Sequence, residues 1–517
     1  MKRPVPRLLL LFLVLSLLVA CGLQRDTGSL PTAANTPSPT ASAVPPPTNS
    51  ATPPSAASAT PSPTAANTPL PTPVQARAGV AGIGDPYFPG AGNGGYDVLH
   101  YDIDLTVDMA QRRIVARTTI QARATQALRS FNLDFAPFDI AGVLVNGQPA
   151  QYHYEQDEFV VTPAGALAQG ADLIVEVAYE GSPGPAGTYD LSSGWFWQGG
   201  FAYVAAEPFG AHAWYPANDH PLDKATYTFR VTAPAGFVVA ANGLLASTTE
   251  EGSQVTYVWQ PEAPMASYLA TVSIGPYEVL NDETASGLPI INFFPTDEAR
   301  ALSRTFAATP DMIDYLAGLL GPYPFDSYGA IVPGGSTGSF VALETQTRSL
   351  FLDEYPLNDD VIVHELAHQW FGDSVSLERW QDIWLKEGFA TYAELLWLEH
   401  RSGPTAVEQR VAAMYQQLAR QARAGTYRPP GDPAADDLYT DAVYDGGALV
   451  LYALRLQIGN GAFFQTLRTY LERYRNGNAS SDDFIAIAQE ISGQDLNDFF
   501  QAWLYSQPMP PLPGGSN

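Results

Sequence analysis

Short runs of alternating apolar and polar residues fill the first folded half of the chain, and longer runs with a helical period fill the second. Tyr101, Ile103, Leu105 and Val107 alternate with Asp102, Asp104, Thr106 and Asp108, the period of a strand with one face in a core and the other in water. Strand-like runs recur at 113–122, 172–179, 225–232, 254–260 and 268–274, separated by turn formers such as Asn146-Gly147 and Asn242-Gly243. They predict a β-sandwich or saddle covering 85–288. The aspartates of the first strand read as its solvated face rather than as calcium ligands. Beyond Leu288 the texture changes. Strands near 290–294, 328–332 and 340–343 mix with helical stretches, and from Asn358 onward helices dominate. Pro404 sits at a helix start and Gly425 near its end, and further helices are expected at 443–458, 462–475, 482–491 and 496–505. The pattern is a multidomain one: a β domain, then an α+β domain over 289–511 with a helical C-terminal half.

The front of the chain fits neither pattern. Lys2, Arg3 and Arg7 precede an apolar run from Leu8 to Ala20, too short to cross a bilayer as a helix. A basic head, a short apolar stretch and small residues before a cut site read as a secretory signal over 1–20. Leu18-Val19-Ala20-Cys21 resembles the lipobox of bacterial lipoproteins. That resemblance implies lipidation of Cys21 as the mature N-terminus, and hence a lipid-anchored protein of the bacterial cell envelope, outside the cytoplasm. From Thr27 to Gln75 there is no charged residue, and the TAANTP repeat at 32–37 and 64–69 marks a partial duplication. Dense proline makes 21–84 an extended spacer with too little apolar surface to fold.

Composition narrows the chemistry. Lys plus Arg number 26 and Asp plus Glu 53, a net charge of −27, so a phosphate backbone would be repelled and no nucleic-acid partner is expected. Cys21 is the single cysteine, which excludes an intrachain disulfide, a cysteine-based zinc site and an iron–sulfur cluster.

One string carries chemistry: Val361-Ile-Val-His364-Glu365-Leu-Ala-His368-Gln-Trp-Phe371. Asn358 is a good N-cap, Asp359 and Asp360 suit the positive end of the helix dipole, and Gly372 is expected to end the run. His364 and His368 stand one turn apart on one helix face, so both imidazoles can reach one metal, with Glu365 beside them free to act as a base. This is the HExxH arrangement of zinc peptidases. Glu387 lies 19 residues after His368 in Trp380-Gln-Asp-Ile-Trp-Leu-Lys-Glu387-Gly-Phe-Ala-Thr-Tyr392, a second helix expected to run to His400. It is the candidate third ligand of a single Zn²⁺. Glu394, two turns further along, can orient a ligating histidine.

HELAHQWFGD followed by WLKEGFATY resembles the gluzincin aminopeptidases, the group of membrane alanyl aminopeptidase and leukotriene A4 hydrolase. The resemblance spans Asp85 to Pro511 and implies a β-saddle domain followed by a thermolysin-like catalytic domain. It implies a zinc-dependent aminopeptidase in which a zinc-activated water hydrolyses off the first residue of peptides with a free N-terminus. The family's Gly-Ala-Met-Glu-Asn signature corresponds to Val341-Ala342-Leu343-Glu344-Thr345, so Glu344 is the candidate for holding the substrate amine. Ala205-Ala206-Glu207 matches the last position of the family's second amine-binding element. Val443-Tyr444-Asp445-Gly446-Gly447 resembles its Tyr-Glu-Lys-Gly element, which makes Tyr444 the candidate oxyanion donor. Larger relatives continue into a capping helical-repeat domain, whereas this chain stops soon after Tyr505, implying a more open cleft. The asparagine that often precedes the third ligand is Lys386, a departure expected to matter little. The alternatives are a thermolysin-like endopeptidase, an epoxide hydrolase as in one family member, and a non-catalytic surface adhesion module. The intact Glu365 speaks against the last, since a structural zinc site needs no base.

Overall fold

A computed structural model describes residues 75–155, 158–186, 193–336, 340–507 and 509–512. The signal segment, Cys21 and most of the spacer lie outside the described residues. What is described belongs to one unit, Thr72–Asn517.

The alternating run forms the strand Tyr96–Asp108, which buries every apolar member of the alternation and leaves Asp104 and Asp108 exposed. It lies inside an eight-stranded sheet, ordered Leu244–Glu251, Gln254–Gln260, Thr226–Pro234, Tyr96–Asp108, Arg113–Ala124, Asp172–Gly181, Asp139–Val145, Gln148–Pro149. Thr226–Pro234 pairs with it in parallel and Arg113–Ala124 antiparallel. On the outer face Arg230 meets Asp102 and Asp104 at 3.7 and 3.9 Å, a solvated ion cluster worth little to stability. Two four-stranded sheets accompany the eight-stranded one, one of them fully buried along Phe201–Ala205.

Strand pairing runs across two of the expected boundaries. Strand pairing starts ahead of the one at 84/85, because Arg77–Ala78 already pairs with Leu128–Asp134. Backbone pairing there needs no side-chain alternation, so no periodic signal marks it. The other, at 288/289, falls in the turn between Tyr277–Glu283 and Pro289–Pro295, which pair with each other. Both belong to the five-stranded sheet that continues through Ala330–Ile331, Ser349–Phe351 and Ala342–Leu343.

The helices are α1 (Ala299–Thr305), α2 (Thr309–Leu320), α3 (Asp359–Ala367), α4 (Trp384–Ser402), α5 (Pro404–Ala424), α6 (Asp441–Arg473), α7 (Ser481–Ser492) and α8 (Asn497–Tyr505). Gly459 breaks α6 with φ 78°, where two separate helices are expected from the sequence. Gly425 caps α5 in the left-handed region, and Ser480 with Asp483 forms a capping box on α7.

α3 is shorter than the expected run to Phe371. Asn358 Oδ1 accepts from Val361 N at 3.1 Å to start it, but the helix stops at Ala367 with His368 as its C-cap. Residues 369–371 fold into a tight turn whose amides bond back to Leu366 and Ala367. Gly372 follows at φ 122°, where a Cβ would stand 3.3 Å from His368 Nδ1. The turn therefore serves the histidine rather than the helix.

Candidate active site

α3 and α4 present the donors. His364 Nε2 lies 3.3 Å and His368 Nε2 3.5 Å from Glu387 Oε2. The outward nitrogens are both engaged: His364 Nδ1 with Glu394 Oε1 at 2.9 Å, and His368 Nδ1 donating to Phe371 O at 3.0 Å. That leaves each Nε2 facing the carboxylate. Glu394 is braced in turn by Arg410 at 3.5 Å, whose other arm meets Asp360 at 3.7 Å. Burial works against a charged His364, but Glu387 and Glu394 outweigh it and hold the ring well above the usual imidazole range. The carboxylates thus draw positive charge to this point. Glu387 itself is held well below the carboxylate range: burial opposes its ionisation, and Lys386, His368 and His364 overcome it.

Tetrahedral zinc donors at 2.0–2.1 Å from the ion stand roughly 3.3–3.4 Å from one another. The nitrogen–oxygen separations here match that edge, and two imidazoles plus one carboxylate is a catalytic donor set that leaves a position open. His364, His368 and Glu387 fit one zinc ion.

Glu365 is 7% exposed, its Oε2 has no hydrogen-bond partner, and it lies in a cluster with Glu344 and His368. Burial pushes its carboxyl up to about 8; His364 pulls it down and Glu344 and Glu387 push it further up. Tyr444 on α6 stacks along His364 with ring centres 5.8 Å apart at 23°. It reaches that place because α4 and α6 cross at Gly388 and Gly447, where a Cβ on Gly388 would stand 2.7 Å from the Gly447 Cα. Burial and Glu387 hold its phenol well above the ordinary range, so it stays a hydrogen-bond donor.

Glu344 and Glu207 arrive from other layers. Glu344 follows the short strand Ala342–Leu343, in a buried loop that returns to Ser349–Phe351. Thr347 in that loop sits at φ 68°, a position a β-branched residue adopts only under constraint. The constraint is visible: Thr347 N donates to Gln369 Oε1 at 2.7 Å and Thr347 Oγ1 accepts from Gly243 N at 2.7 Å. Asn242 Nδ2 donates to Gln346 O at 2.7 Å, and the buried Arg348 donates to Gly243 O at 2.9 Å. The Asn242-Gly243 segment, legible in the sequence only as a turn, thus clamps the loop that carries Glu344.

Lys386 corrects the expectation that it matters little. It is fully buried, and its Nζ meets Glu344 Oε1 and Glu387 Oε1 at 2.7 Å each and is also in contact with Glu207 Oε1. It lies 5.7 Å from the ring centre of Tyr268. Burial raises Glu344, but Lys386 and His368 bring it net below its usual value. Burial and Glu344 raise Glu207, against the pull of Lys386. Neighbouring positions on a helix diverge by about a hundred degrees, so proximity to Glu387 in sequence did not disclose where this side chain points.

Comparison with known proteins places this arrangement. The Peptidase M1 N-terminal domain matches residues 98–269, and the Peptidase family M1 domain matches residues 338–503. The crystal structure of the M1 zinc metallopeptidase from Deinococcus radiodurans is similar at a TM-score of 0.76 and 30% identity, over 84% of this chain and 100% of the other. The chain belongs to the M1 peptidase family. A mutant of the same bacterial enzyme, solved with a Tyr-Ser-Ala substrate, is similar at 29% identity and a TM-score of 0.76, over 84% of this chain and 99% of that one. Aminopeptidase N of Streptomyces lividans is 28% identical over 335 residues, 59% of this M1 peptidase and 38% of the relative. Aminopeptidase M1-B of Oryza sativa subsp. japonica is 23% identical over 439 residues, 80% and 50%. This M1 peptidase spans half or less of the length of those two curated relatives.

Proposed function

We propose that this M1 peptidase is a zinc aminopeptidase that removes the first residue of peptides outside the cytoplasm, anchored to the bacterial envelope by a lipid on Cys21. One observation carries the catalytic reading: Glu207 and Glu344, from separate layers, converge on a single cation beside the His364–His368–Glu387 donor set. Two carboxylates at one spot are a receptor for an ammonium, and a peptide has one at its free N-terminus. The substrate-bound Deinococcus structure supports a peptide of this kind in such a cleft.

Bound to His364, His368 and Glu387, zinc supplies Lewis acidity, lowering the pKa of water towards neutrality and polarising a carbonyl. The chain's own groups do the rest. Glu365, buried beside the donor set, takes a proton from the attacking water and passes it to the leaving amine. Tyr444 keeps its proton and donates to the oxygen that becomes negative, a contribution of about 2–4 kcal/mol for donors of this type. Glu394 and the Phe371 carbonyl fix the ring orientations of His364 and His368.

The test compares release of a fluorophore from an amino-acid amide and from its N-acetylated form, with and without chelator. The reading expects release from the free form only, abolished by chelation. Equal release from both forms favours an endopeptidase. The anchor is tested separately by cell fractionation: Cys21→Ser should leave the membrane fraction, and a variant that stays there contradicts it.

A further inference from the structure

Lys386 is the feature of the site that the zinc chemistry leaves without a task. It is fully buried, yet it touches carboxylates from three segments: Glu207 after the strand Phe201–Ala205, Glu344 in its clamped loop, and Glu387 on α4. A lysine pays heavily for such burial unless anions surround it, and here they do. Its ammonium stands between the two carboxylates that the aminopeptidase reading assigns to the substrate's ammonium.

Resting on that reading, we propose that Lys386 is a resident counter-cation of the amine subsite, one that sets how strongly a free N-terminus is preferred over a blocked one. Glu207, Glu344 and Lys386 bring two carboxyls and one ammonium, so the trio offers at most one net negative charge. One incoming ammonium cancels it. Without Lys386 the same two carboxylates face the substrate with up to twice that charge, in a dry cleft where Coulombic terms are several-fold larger than in water. Lys386 therefore moderates the discrimination rather than creating it. A merely structural lysine predicts the opposite, since losing it would disorder both carboxylates and weaken the preference.

The opposed signs make a decisive test. In the full-length zinc protein carrying Glu365→Gln, so that peptides bind without being cleaved, calorimetry measures Kd for one tripeptide in free and N-acetylated forms. Zinc content is checked on each preparation. Adding Lys386→Asn should raise the acetylated-to-free Kd ratio by about tenfold or more. Adding Glu207→Gln should lower it by a similar factor, and the two together should return it near the starting value. A ratio that falls or stands still on Lys386→Asn overturns the proposal. If Lys386→Asn alone does not fold, the step from Glu207→Gln to the double variant carries the same sign and decides it. A starting ratio near one defeats the aminopeptidase reading instead, and Lys386→Asn must then still raise it for Lys386 to hold the assigned role.

Discussion

The metal-ligand cluster and the proposed amine subsite adjoin each other but are built differently. The centre takes its donors from 364, 368 and 387, one continuous stretch from α3 to the first turn of α4. The subsite takes Glu207, Glu344 and Lys386 from three layers far apart in sequence. A local cluster is fixed by helix geometry and announces itself by spacing. A distributed one exists only once the β layers, the clamped loop and α4 have docked. Changes at the first should strike every substrate alike, and changes at the second should separate free from blocked peptides.

The largest expected effect is at the centre. Glu365→Gln should lower kcat by about a hundredfold or more for any cleavable peptide, a usual share for a general base, while zinc stays bound. Turnover and zinc content measured on one preparation check this. Activity within a few-fold of wild type would remove Glu365 from the mechanism.

At the subsite the expected loss is selective. Glu344→Ala removes a charge-assisted partner of a substrate ammonium, an interaction of about 1.5–3 kcal/mol, so kcat/KM for free peptides should fall roughly tenfold to a hundredfold. For an N-acetylated peptide, which is not cleaved, the binding affinity should hardly move. Equal losses for both would merge the two regions into one and break the comparison.

The smallest effect concerns how the layers are held together. Asp85 is buried between them, accepting from Trp380 N at 2.9 Å, from Tyr87 and Phe88 amides at 2.8 and 3.0 Å, and pairing with His220 at 3.1 Å. Tyr87 Oη donates to Pro433 O at 2.7 Å on the far side. Burial opposes ionisation of Asp85, but His220 and the three amides prevail and lower its pKa. A lowered carboxyl stabilises the fold above its unfolded pKa, near 4, and loses that contribution as pH falls through the folded value. Asp85→Asn should therefore cost about 1–3 kcal/mol at neutral pH, and the gap to wild type should close as pH drops below about 4. Denaturant melts at two pH values measure it; a gap that widens in acid would contradict the assignment.

Legibility followed the same division. The alternation of 101–108, the Asn358 cap and the HExxH spacing each depend on a few neighbouring residues, and each could be read before folding. The early stop of α3 could not, because it comes from backbone bonds in the turn that seats His368. Glu344 and Glu207 stand out through resemblance, not spacing. Lys386 is legible only as a lysine: a sequence shows that it is present, but not that three carboxylates from distant segments will surround it. The Asn242-Gly243 clamp was hidden for the same reason, since its partners at 346–348 lie a hundred residues away.

The central claim is that a distributed amine subsite registers peptides on a local metal centre. Mass-spectrometric mapping of the products of one decapeptide, free and N-acetylated, tests it most directly. The account predicts a ladder losing one residue at a time from the free N-terminus and no products from the acetylated form. Internal fragments appearing from both forms at similar rates would contradict it.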